Sequence, residues 1–182
     1  MTLERITKDN LGYAVKIQEE IFPGENGKAN FEEDIEGTFD GSYYLIVEGG
    51  NCAGIIGSYS YQEDPESAWL GWFGIRESFR RKYLGSEALK AFEGMAEKRE
   101  YKYARLYTDK EHNDVAISFY KANDYICECE PYQNLKDPAG LVYKTLIFSK
   151  PLTPTPLVLW HNRNIHLTEQ IEKQRTRGRE TE

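Results

Sequence analysis

The chain has 182 residues, 40% of them hydrophobic and 29% charged, with a formal net charge of -7. That length holds one core-bearing domain with appendages and is too short for two of ordinary size, and the acid excess excludes the broad cationic face that nucleic acid requires. No apolar run reaches membrane-spanning length, and the N-terminus MTLERITKDN lacks the charged-then-apolar layout of a signal peptide, so no membrane partner and a cytoplasmic location are expected.

Residues 3–6 predict a short first strand, after which Thr7 or Asp9 can cap a helix that carries Ala14, Ile17 and Ile21 on one stripe and ends at Pro23-Gly24. Residues 31–39, with Ile35 four positions from Phe31 and from Phe39, read as a short acidic helix closed by Asp40-Gly41. Two apolar runs, 43–47 and 52–61, are joined by Gly49-Gly50-Asn51 and read as a hairpin. Residues 62–67 form a polar turn with Glu63, Asp64 and Glu66 at the head of a central strand, 69–75. Leu84, Ala88, Phe92 and Met95 then recur at helical spacing, and 103–108 reads as a strand parallel to the central one across a right-handed helical crossover.

A second helix over 113–122 puts Asn113, Ala116 and Tyr120 on one face, and 125–129 and 141–148 read as two final strands with their turn at Asp137-Pro138-Ala139-Gly140. Pro151, Pro154 and Pro156 favour an extended linker. This divides the chain into a domain over 1–150 and an appendage over 151–182 in which Trp160, Leu167 and Ile171 fall at helical spacing. Because Leu157, Leu159, Trp160, Leu167 and Ile171 are too apolar for a free arm, this tail is expected to pack on its own domain or to form a homodimer contact. Cys52, Cys127 and Cys129 show no pairing pattern, Cys127 and Cys129 have no nearby histidine to complete a zinc site, and His161 and His166 lie off one helical face, so no metal site is expected.

The stretch of most chemical interest is 69–89, WLGWFGIRESFRRKYLGSEAL, an apolar strand that passes through a basic turn into a helix. A helix start leaves backbone N–H groups without partners and carries partial positive charge, so an anion is its natural ligand. Arg80, Arg81 and Lys82 add full charges there in an otherwise acidic chain, and Gly85 has no side chain to hold an anion away.

The hexapeptide Arg80-Arg81-Lys82-Tyr83-Leu84-Gly85 resembles the Arg/Gln-x-x-Gly-x-Gly/Ala signature of GNAT-type N-acetyltransferases, with Tyr83 where the family has its first glycine. Downstream, Asn113-x-x-Ala116-x-x-Phe119-Tyr120-Lys121-x-x-x-Tyr125 is similar to the family's Asn-x-x-Ala-x-x-x-Tyr-x-x-x-Gly-Phe segment, with Asp124-Tyr125 in place of Gly-Phe. The resemblance implies an α/β fold with a mixed, mostly antiparallel twisted sheet of about seven strands and flanking helices. It also implies acetyl-CoA as co-substrate, bound by the strand residues Phe73, Gly74 and Ile75, by the turn Arg80, Arg81, Lys82, Tyr83, Leu84, Gly85 and Ser86, and by Asn113 and Tyr120.

The activity so implied is direct acetyl transfer to a primary amine of a small molecule or peptide. A bend at 72–75 would free a backbone N–H toward the thioester carbonyl, Gly74 would permit the close approach, and Tyr120 would protonate the leaving thiolate. For the base that takes the amine's proton, Glu63, Asp64 and Asp109 are all open, as is a water chain. Two other classes also stay open, a catalytically inactive coenzyme A-binding regulatory module and an interaction protein that works through its tail.

Overall fold

Strand periodicity, glycine turns and one long amphipathic helix decide most of the architecture. The structure, a computed structural model, describes residues 1–38, 40–62, 64–109, 113–128, 135–136, 142–143 and 145–160. In chain order the elements are β1 (Thr2–Arg5), α1 (Leu11–Ile21), α2 (Lys28–Glu36), β2 (Gly41–Glu48), β3 (Asn51–Tyr61), β4 (Asp64–Ile75), α3 (Leu84–Lys98), β5 (Tyr103–Asp109), α4 (Asp114–Ala122), β6 (Ile126–Cys127), β7 (Leu135–Lys136), β8 (Val142–Tyr143) and β9 (Thr145–Pro151). Seven strands form one sheet in the order β1-β2-β3-β4-β5-β9-β6, and β7 and β8 pair separately. The ladders are antiparallel except β4 with β5, where the α3 crossover enforces a parallel pair.

Several boundaries differ from the sequence expectation. Helix α2 stops at Gly37, whose left-handed φ of 71° closes the last turn, before Asp40-Gly41 is reached. The polar stretch expected as a turn over 62–67 is mostly the start of β4, and Asp64 and Ser67 there are fully buried. Their partner is remote in sequence: Arg105 on β5 donates from Nε to Ser67 Oγ at 2.9 Å and pairs with Asp64 Oδ2 at 3.2 Å. The two expected final strands are present as the short β6 and, at 145–151, β9, which is inserted between β5 and β6; the small β7–β8 ladder is an addition.

The sheet is covered on both faces. On one lie α3 and α4, with Leu84, Ala88, Leu89, Phe92 and Tyr120 packed on Ile56, Leu70, Leu106 and Phe148. On the other, α1 and α2 set Ala14, Ile17 and Phe31 against Tyr43, Leu45 and Ile55. Farther along that second face, the chain after β9 is extended, as its prolines predict, yet held to the sheet. Tyr103 Oη donates to the Pro156 carbonyl, Arg105 Nη2 donates to the Val158 carbonyl at 2.6 Å, and the Trp160 N–H donates to Glu128 Oε2 at 2.5 Å. Trp160 itself is buried against Tyr59, Tyr61, Trp69 and Ile147, so the chain's own sheet is one surface the tail uses. Leu167, Ile171, His161, His166, Cys129 and any homodimer contact through the tail fall outside the described residues.

Candidate active site

Strands β4 and β5 pair only near their starts. The register runs Ser67↔Tyr103, Ala68↔Ala104 and Trp69↔Arg105 and then stops, so the C-terminal halves of the two strands diverge. A cavity of about 290 Å³ occupies this divergence, with Leu70, Gly71 and Phe73 on one side and Leu106, Thr108 and Asp109 on the other. Helix α4 contributes Asn113, Ala116 and Tyr120 to a further wall, and the segment joining α1 to α2 contributes Phe22, Asn26 and Asn30.

A β-bulge causes the divergence to be lined as it is. Gly57 faces Gly71 and Ile55 faces Gly74, so Trp72 and Phe73 together oppose the single residue Ile56. Trp72 takes a left-handed φ of 40°. Strict alternation from Leu70 would send Trp72 to the α3–α4 face; the extra residue instead sends it to the α1–α2 face and returns Phe73 to the side of Phe119, at a ring separation of 5.9 Å. Trp72 is held there by Asn30, whose Oδ1 accepts from the indole Nε1 at 2.9 Å, and by the edge of Phe22 at 5.4 Å. A Cβ at Gly74 would stand 2.4 Å from Ile21 and 3.0 Å from Phe22, so this glycine lets the end of α1 close on the strand.

The basic turn follows β4 and leads directly into α3. Arg80 donates from Nε to the Ile75 carbonyl at 2.9 Å and Lys82 donates to the Ser78 carbonyl at 3.1 Å, which fixes the turn's shape. Tyr83 occupies the N-cap of α3 with φ 62°, makes no side-chain cap, and is 85% exposed. The left-handed backbone that a glycine adopts freely is therefore carried by a tyrosine. The first turn of α3 has no side-chain cap, and a helix start of that kind suits an anion. A Cβ at Gly85 would lie 3.3 Å from the Phe119 ring, so Gly85 also sets how closely α3 and α4 approach.

Tyr120 is 8% exposed, with its ring among Phe119, Tyr125 and Phe148, while it lines the cavity. Burial pushes its phenol well above the ordinary tyrosine range, so it keeps its proton at neutral pH. Asn113 is the N-cap of α4 but makes no side-chain cap, and it too lines the cavity. Of the carboxylates considered from sequence, Asp109 lines the cavity, Asp64 is committed to the buried pair with Arg105, and Glu63 lies outside the described residues.

Sequence reasoning named no site residue of the far wall. Gln18, 1% exposed, donates from Nε2 to the Glu25 carbonyl and accepts from the Gly27 N–H, each at 3.1 Å, and so fixes the segment that carries Glu25, Asn26 and Asn30. Only the polarity of Gln18 within an apolar helical stripe signals this. The tyrosine floor had a clearer signal, because Tyr43 lies directly opposite Gly57, where a Cβ would come within 2.3 Å of the ring.

Comparison with known proteins decides the family: the profile of the acetyltransferase (GNAT) family matches residues 12–125. This chain belongs to the GNAT acetyltransferase family. The fold agrees. The ribosomal-protein-S18-alanine N-acetyltransferase from Escherichia coli superposes with a TM-score of 0.68 at 16% identity, over 87% of this chain and 98% of that one. An acetyltransferase from Bacillus subtilis in complex with CoA gives 0.60 at 16% identity, over 84% and 97%. Ard1 from Thermoplasma volcanium gives 0.65 at 19% identity, over 84% and 97%. A search of curated proteins returned no match. Among the described residues, no helix is long and apolar enough to cross a membrane.

Proposed function

We propose that this GNAT chain transfers the acetyl group of acetyl-CoA directly to a primary amine, and that the divergence of β4 and β5 beside the β4 bulge is where it does so. The observation that carries the reading is one cavity that joins a bulged strand to a buried, proton-bearing phenol, in a chain whose bulged strand runs on through three cations into an uncapped helix start. Those residues fit coenzyme A. The α3 start with Arg80, Arg81, Lys82 and Gly85 suits a pyrophosphate, and residues 70–73 and 106–109, unpaired with each other, line the cavity that would take the thin amide-bearing chain.

The co-substrate supplies an acyl group on a sulfur leaving group. The chain's own residues do the rest. Backbone released by the bulge at Trp72 and Phe73 offers an N–H to the carbonyl oxygen as negative charge develops. The amine's lone pair forms the C–N bond, the C–S bond breaks, the thiolate takes the proton of Tyr120 Oη, and the amine gives up one proton. Asp109 is the cavity-lining carboxylate from the sequence set, and we assign it or a water beside it to that second proton.

The test is thiol release from acetyl-CoA across an amine panel, run beside calorimetry with coenzyme A. Coenzyme A binding together with amine-dependent thiol release is expected. Absence of coenzyme A binding would end the reading.

A further inference from the structure

The cavity is built for more than an acetyl group. Tyr43 and Tyr59, 2% and 5% exposed, line its floor with their rings laid across the sheet, because Gly57 and Gly71 leave space: a Cβ at Gly71 would stand 2.9 Å from the Tyr59 ring. Phe22 and Trp72 add two further aromatic surfaces toward the α1–α2 segment. Among the described lining residues the charged side chains are Glu25 and Asp109, on the α1–α2 segment and the end of β5. The backbone at Glu25 is held rather than incidental, since the buried Gln18 donates to the Glu25 carbonyl and accepts from the Gly27 N–H that follows it. Burial raises the phenols of Tyr43 and Tyr59, so the floor stays uncharged at neutral pH.

Resting on the acetyl-transfer reading above, we infer that the acceptor is a small primary amine with an apolar or aromatic body and no acid group. Its ammonium is drawn in by Glu25 and Asp109, and its body packs on Tyr43, Tyr59 and Trp72. Aromatic faces and carboxylates attract a cation, and the same carboxylates repel an acceptor that carries its own. Size is compatible with this: about 290 Å³ admits the acetyl group together with a small amine body.

Phenethylamine and phenylalanine differ by one carboxylate and make the matched pair; a short peptide amide with a free N-terminus makes the third acceptor. Each is assayed for thiol release and acetylated product, and calorimetry follows phenethylamine binding to the coenzyme A complex. Phenethylamine is expected to show at least a tenfold higher kcat/KM than phenylalanine or the peptide. Glu25→Gln is expected to narrow the gap to phenylalanine several-fold and to weaken phenethylamine binding, with Asp109→Asn as the second variant. Equal or better use of phenylalanine or the peptide overturns the inference. So does coenzyme A binding with none of the three acetylated, a result that leaves coenzyme recognition standing, whereas failure to bind coenzyme A removes the transfer reading itself.

Discussion

The indole Nε1 of Trp72 donates to Oδ1 of Asn30 at 2.9 Å, which ties the left-handed residue of the β4 bulge to helix α2. One bond thus couples the proposed thioester-polarising strand to the segment that Gln18 fixes. Asn30→Ala leaves the half-buried indole N–H without this acceptor and is expected to cost about 1–2 kcal/mol of stability. It should raise the acceptor KM while coenzyme A affinity, set at the α3 start, stays unchanged. Calorimetry and steady-state kinetics on one preparation separate the two, and an unchanged acceptor KM would show the bond to be structural only.

Arg105, Glu128, Ser67, Ser149 and Asp64 form a buried polar cluster, with Arg105 donating to Glu128 Oε1 and Ser149 Oγ at 2.6 Å each. Glu128 also receives the Trp160 N–H, so one carboxylate holds both the cation and the C-terminal segment. Removing one member of a buried ion pair typically costs about 3–5 kcal/mol, and Glu128→Ala should fall in that range. Denaturant unfolding measures it. The summed tryptophan fluorescence of the folded variant should shift to the red, as the Trp160 indole gains water.

Tyr83 carries φ 62° at a site 85% exposed, so it has strain and little packing. Tyr83→Gly relieves a left-handed penalty of about 1–2 kcal/mol against the added freedom of the unfolded chain, for a net gain of about 0.5–1 kcal/mol. In a chain of this size that raises the Tm by roughly 1–4 °C. A lower Tm for Tyr83→Gly would mean that the ring holds the turn.

Tyr120→Phe keeps the ring against Phe148 and Tyr125 and removes only the hydroxyl. Coenzyme A affinity and stability should barely change, while turnover falls about 10²–10⁴-fold, as for loss of a general acid. Wild-type turnover in the folded variant would return the residue to packing.

Burial raises the phenols of Tyr43, Tyr59, Tyr120 and Tyr125 above their unfolded values. The unfolded chain therefore gives up these protons first, so the stability they contribute is intact below pH of about 10 and declines as pH rises beyond it. Alkaline titration should show a late tyrosinate absorbance step that coincides with loss of the folded circular dichroism signal. A late step completed within the folded state would contradict it.

The sequence by itself determined the elements whose signal is local. Gly49 and Gly50, both at positive φ, make the β2–β3 turn, the stripe from Leu84 makes α3, and the crossover from β4 to β5 makes the parallel pair. The basic turn and the Asn113–Tyr120 face were legible for the same reason, since a helix start and a seven-residue spacing need no knowledge of remote chain. Tertiary structure alone decided the rest. Asp64 and Ser67 look like turn residues until Arg105 is placed against them, because burying a charge depends on a partner that periodicity does not reveal. The face taken by Trp72 depended on one extra residue opposite Ile56, and a one-residue change of register reverses every side chain that follows. The cavity wall of Glu25, Asn26 and Asn30, with the Gln18 that holds it, emerged only when α1 and α2 closed over the sheet, since its geometry is set by contacts between elements rather than by spacing within one.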